Sequence, residues 1–128
     1  MIRKMKEEDL QQCGVIYAKA FPIEYWGIDW NPDNAKEYLL DYYEQKRFVG
    51  YVYEEDDVVI GCIFALCKIS GSKKEMYINE MAVLPERQGQ GIGRQLLKTL
   101  LDYSKESGYA GVVLYTSEYA PASKFYEN

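Results

Sequence analysis

The sequence predicts an α/β domain with a mixed, twisted sheet flanked by helices. Two helix-period segments come first, and a block rich in β-branched and aromatic residues follows from Arg47. A glycine-rich turn then opens a further amphipathic helix. The strand after that helix is reached by a crossover and must therefore pair in parallel with an earlier one. At 128 residues the chain is read as one domain, 1–128, with room for one core.

Taken in order, Ile2 and Met5 among basic residues suggest a short strand over 2–6. Asp9 is the expected cap of a helix reaching about Ala20, with Leu10, Cys13, Ile16, Tyr17 and Ala20 at helical spacing. Phe21-Pro22 ends it, because proline disfavours helix in the residue before it. Glu24 to Trp30 reads as an aromatic loop, and Asn31-Pro32-Asp33 opens a second helix with Ala35, Tyr38, Leu39 and Tyr42 on one face. Strands over 48–53, 58–69 and 75–84, joined by turns at 54–57 and 70–74, form an antiparallel meander. A helix to about Ser107, stopped by Gly108, precedes a fifth strand over 112–116 and a short last helix over 121–127.

Composition narrows the function classes. A hydrophobic content of 48% excludes a disordered chain. The net charge of −5 makes sequence-independent binding to nucleic acid a poor reading and leans toward a cationic substrate. Cys13, Cys62 and Cys67 have no metal-ligand spacing and lie in apolar stretches, which suits reduced thiols and a cytoplasmic setting. No segment has membrane-spanning length, so no membrane partner is expected. With no histidine at all, Ser-His-Asp and Cys-His nucleophile systems are excluded and no metal is expected. Proton transfer falls to carboxylates, phenols, lysines, thiols or water.

The densest chemistry lies in Gln88-Gly89-Gln90-Gly91-Ile92-Gly93-Arg94, with Arg87 before it and an apolar helix after it. Alternating glycines let the backbone approach a ligand, and the helix start offers unpaired N–H groups and a positive dipole end. Together they suit phosphate or pyrophosphate. No Gly-Lys-Ser/Thr follows, so this is not a P-loop, and a strand that closes a meander does not fit a dinucleotide fingerprint.

Gln88-x-x-Gly91-x-Gly93, preceded by Met81-Ala82-Val83-Leu84-Pro85 and followed by the Leu96/Leu97/Leu100/Leu101 helix, resembles the GCN5-related N-acetyltransferase (GNAT) superfamily. Ala120-Pro121-Ala122-Ser123-Lys124-Phe125-Tyr126 is similar to that family's second cofactor-side helix. The resemblance covers nearly the whole chain and implies acetyl-CoA as acyl donor and a small-molecule or peptide amine as acceptor. It implies that Gln88 to Arg94, with Gly89, Gln90, Gly91, Ile92 and Gly93, hold the pyrophosphate. Met81, Ala82 and Val83 would meet the pantetheine arm as an added strand. Arg87 and Arg94 would add charge-assisted contacts, while Lys98 reads equally well as a solvated helix face.

Tyr126 occupies the place where the family often has its general acid, and a phenol suits protonation of a leaving thiolate. Glu80, alone in an otherwise apolar strand, is the expected base. Glu24, Tyr25 and Asp29, with Trp26 or Trp30, form a second candidate surface for a cationic acceptor. Two departures stand out: Tyr119 replaces a frequent asparagine, and the sequence stops at Asn128 where family chains add one or two strands. The expectation is a GNAT-like sheet with C-terminal strands missing, from a truncated chain or one completed as a homodimer. The runner-up reading is a non-catalytic acyl-CoA-binding module, and a third is a nucleoside-triphosphate enzyme using the glycine turn.

Overall fold

A computed structural model describes residues 1–109 and 111–114. Among these residues five strands make one sheet in the order β1 (Ile2–Lys4), β2 (Phe48–Glu55), β3 (Val58–Ser70), β4 (Lys73–Val83) and β5 (Gly111–Leu114). Neighbours among the first four pair antiparallel, whereas β5 pairs parallel to β4 from Glu75↔Gly111 to Ile78↔Leu114. The crossover helix that precedes β5 makes this the expected geometry. The helices among the described residues are α1 (Leu10–Ala20), α2 (Ile23–Trp26), α3 (Pro32–Tyr43) and α4 (Ile92–Glu106).

Strand alternation sorts the core into two layers. On β3, Cys62 and Phe64 face α1 and α3 and pack with Leu10, Cys13, Ile16 and Leu39. Ile63 and Ala65 face the other way and pack with Met76, Ile78, Leu96 and Leu100, under α4. Of the four leucines on α4, Leu96 and Leu100 are fully buried while Leu101 is exposed. The pair four residues apart carries the buried stripe. Gly14 lets α1 and α3 approach closely, since a Cβ there would lie 2.6 Å from the Pro32 carbonyl oxygen.

Local signals predicted most boundaries, with three corrections. Asp9 does not cap α1 with its side chain; it closes a turn of 3-10 helix (Glu7–Asp9) by accepting from the Lys6 N–H at 2.7 Å. The same carboxylate takes both Arg3 guanidinium nitrogens at 2.8 Å, and burial favours that stronger partner. The aromatic loop contains a helical turn, α2, closed by Gly27 in the left-handed region at φ 74°. The acidic turn is tighter than expected: Glu55 pairs with Val58, leaving Asp56 and Asp57 at φ 51° and 64°. Asn31 caps α3 as its sequence predicts, exchanging side-chain-to-backbone bonds with Asn34. The last helix and the final two residues of the predicted 112–116 strand lie outside the described residues.

Candidate active site

Glu80 reaches its position through an irregularity in β4. Phe64 pairs with Glu80 and Ala65 with Ile78, so Asn79 is an extra residue, a β-bulge. Without it, plain alternation from Ile78 would direct Glu80 into the α4 layer. With it, Glu80 shares a face with Phe64 and meets α1 and α3. The bulge leaves Asn79 Oδ1 buried and without a hydrogen-bond partner among the described residues. A cleft of about 330 Å³ lies beside it, lined by Leu66, Cys67, Lys68, Tyr77 and Asn79.

Each Glu80 oxygen accepts a phenol. Tyr17 on α1 donates to Oε1 at 2.7 Å, and Tyr38 on α3 donates to Oε2 at 2.5 Å. The Tyr38 and Tyr42 hydroxyls lie 2.9 Å apart, one helical turn from each other. Trp30 packs edge-on to Tyr17 and beside Tyr38, with ring centroids 5.2 and 4.8 Å away, and Phe21 covers Tyr17 at 4.4 Å. Burial pushes the Glu80 carboxyl above its ordinary range, and the bonds from Tyr38 and Tyr17 offset part of that rise. Both phenols are held far above their usual range, Tyr17 by burial and the Glu80 charge, Tyr38 by burial and its bond to Glu80. They remain protonated donors at any ordinary pH.

The edge of β4 comes next. Leu84 N–H donates to the Ile60 carbonyl at 3.0 Å, so alternation turns Ala82 toward β3 and Met81 and Val83 toward the β5 side. The described pairing with β5 stops at Ile78. The Val83 carbonyl accepts the Gln88 side-chain amide at 3.0 Å, which ties the strand end to the glycine turn.

That turn has the shape an anion needs. Gly89 and Gly91 sit at φ 80° and 83°, where nothing lies within 4 Å of a notional Cβ. Gly91 is the N-cap of the 15-residue α4 and offers no side chain to its first-turn N–H groups. Arg94 is exposed and makes no ion pair among the described residues. Arg87 is engaged: its guanidinium pairs with both Glu55 oxygens at 3.0 and 3.1 Å and donates from Nε to Gln90 at 2.8 Å. Lys98 pairs with Asp102 one turn along α4. The turn leaves the first N–H groups of α4 without a side-chain cap, a geometry open to an anion, while Arg87 is already paired with Glu55.

The structure thus gathers Glu80, Met81, Val83 and the 88–94 turn along one strand and its sequel. Ala82 faces inward, and Tyr126 lies outside the described residues. Among the candidate acceptor residues, Trp30 joins the Glu80 group, whereas Glu24, Tyr25 and Asp29 are turned to solvent and Trp26 packs on Phe21. Sequence reading missed Tyr17 and Tyr38, which it assigned to helix packing. The one available signal was their burial-prone spacing with a polar tip.

The Acetyltransferase (GNAT) family model matches residues 10–128. The chain belongs to that family. Among curated relatives, N-acetyltransferase 8B of Rattus norvegicus is 34% identical over 88 residues, 66% of this chain and 37% of that protein. The L-amino acid N-acyltransferase MnaT of Escherichia coli (strain K12) is 28% identical over 112 residues, 84% of this chain and 64% of that protein. The chain therefore spans little more than a third of the first of these relatives. Among solved structures, "a possible acetyltransferase from Clostridium difficile 630" superposes with TM-score 0.81 at 20% identity, over 99% of this chain and 86% of that one. The ribosomal-protein-alanine N-acetyltransferase from Brucella melitensis biovar Abortus 2308 gives 0.76 at 18%, over 99% and 88%. At these identities the likeness is one of fold: the mixed sheet and flanking helices are those of the GNAT family.

Proposed function

We propose that this GNAT chain moves an acetyl group from acetyl-CoA to a primary amine of a small molecule or peptide by direct attack. The observation that carries the reading is the sequence of groups along β4. A carboxylate at Glu80 is followed by backbone at Met81 and Val83 facing away from β3, and then by the uncapped glycine turn. Such an edge suits the amides of a pantetheine arm, and the turn suits its pyrophosphate. In the reaction the amine lone pair forms the N–C bond to the thioester carbonyl carbon, and its proton passes to Glu80 directly or through water. The C–S bond breaks with its pair on sulfur, which Tyr126 protonates by analogy with the family. A base whose affinity for protons has been raised by burial is better matched to that task than an exposed glutamate.

The printed activity of MnaT points to an amino acid, and that of the Brucella protein to a protein N-terminus, as classes of acceptor to include. The free cysteines among the described residues accord with a reducing, cytoplasmic setting, and no described helix is long and apolar enough to cross a membrane. The test is thiol release from acetyl-CoA across a panel of amino acids, polyamines and short peptides. At least one amine should raise thiol release well above hydrolysis, and Tyr126→Phe should reduce it. Tight CoA binding with no release, in wild type and Tyr126→Phe alike, would identify an acyl-CoA-binding module instead.

A further inference from the structure

A carboxylate intended as a base must be aimed as well as basic. Glu80 projects from a bulge, where the strand ladder gives its backbone less restraint than a regular pair would. Two donors compensate, one for each oxygen, from helices 63 and 42 residues away in sequence. Their separation is set by the α1–α3 contact, which Gly14 closes against the Pro32 carbonyl. Tyr38 is itself held by the Tyr42 hydroxyl and by a ring contact at 88°, and Tyr17 is clasped between Phe21 and Trp30. A phenol bonded to one lone pair of each oxygen leaves the others available to an acceptor amine or a bridging water.

We propose that Tyr17 and Tyr38 are positioning residues that fix both oxygens of Glu80 and hold it ready as an anion in an aromatic chamber. The assignment rests on reading Glu80 as the base. The groups facing the carboxylate are Tyr17 from α1, Tyr38 and, behind it, Tyr42 from α3, with Phe64 opposite on β3. No charged side chain among the described residues pairs with it, so the two phenols are its anion-stabilising partners there. Tyrosines that only packed beside Glu80, without donating to it, would affect stability and leave its titration where it is.

Carbon-13 NMR of protein labelled at the glutamate carboxyl carbon reads that titration directly, with the Glu80 signal identified by its loss in Glu80→Gln. In Tyr17→Phe and in Tyr38→Phe the midpoint should move upward, and further in the double variant, because burial remains while a donor is lost. Unmoved midpoints in both single variants, with native amide spectra, would overturn the proposal. Should those variants not fold, Tyr42→Phe decides it. This change removes only the partner of Tyr38, and a midpoint that moves supports the assignment while a fixed one refutes it. The measurement needs no acceptor. A chain that transfers no acetyl group yet shows the shift loses its proposed function and keeps this positioning.

Discussion

Asp9 and Glu80 both take a carboxylate out of bulk water, but their partners differ in kind. Asp9 is 3% exposed and faces a guanidinium that forks onto both its oxygens, with Glu54 on the far side of Arg3 at 2.8 Å. Burial pushes its carboxyl up, and the Arg3 and Lys6 bonds more than reverse that, leaving it below the usual range. Glu80 receives two neutral phenols, which do not fully offset burial, and ends above that range. A full opposite charge fixes a carboxylate in its anionic form and makes it part of the scaffold. Neutral donors orient the carboxylate and leave its protons exchangeable, as a base requires.

Replacing Glu80 should give the largest effect, and it should fall on turnover. Glu80→Gln keeps the shape and removes the proposed base, so kcat/KM for any accepted amine should drop by roughly 10²–10⁴-fold. Because the folded carboxyl titrates above its unfolded value, its stabilising share is fully present below the ordinary carboxylate range and is lost as pH rises through the folded pKa. Thermal melts at neutral pH should accordingly show Glu80→Gln no less stable than wild type. A loss of more than about 2 kcal/mol would make Glu80 a scaffold residue like Asp9 and erase the contrast.

Asp9→Asn tests the other side. It should cost about 3 kcal/mol at neutral pH by leaving Arg3 without its buried partner. Here the folded pKa is lowered, so the contribution exists above the usual carboxylate range and is lost as pH falls through the folded value. Denaturant melts should therefore show the gap between wild type and variant closing toward acid, with thiol release per folded molecule unchanged.

The smallest effect belongs to the exposed version of the same pairing. Glu55→Gln frees Arg87 from a surface ion pair, so stability should barely change. Affinity for CoA, followed by calorimetry at low salt, should rise a few-fold as Arg87 becomes available to phosphate. An unchanged affinity would remove Arg87 from the cofactor side of the site.

Much of the fold was legible because its signals are local. Asn31-Pro32 announces α3, the glycines announce the turn before α4, and β-branched runs announce β2 to β4, each through atoms within a few residues. The three glycine positions and the following leucines also carried the family resemblance, which the family model bears out. Where neighbours compete, local reading failed. Asp9 has a cap residue's identity, yet Arg3 and the Lys6 N–H claim its oxygens.

By itself, then, the sequence determined the mixed α/β architecture and the family, and it singled out the glycine turn as the candidate pyrophosphate site. Tertiary structure alone decided which way Glu80 faces. The bulge exists only in the register between β3 and β4, and a shift of one residue reverses the side to which every following side chain points. It also decided what Glu80 meets, since Tyr17 and Tyr38 come from helices that only packing brings to the same face of the sheet.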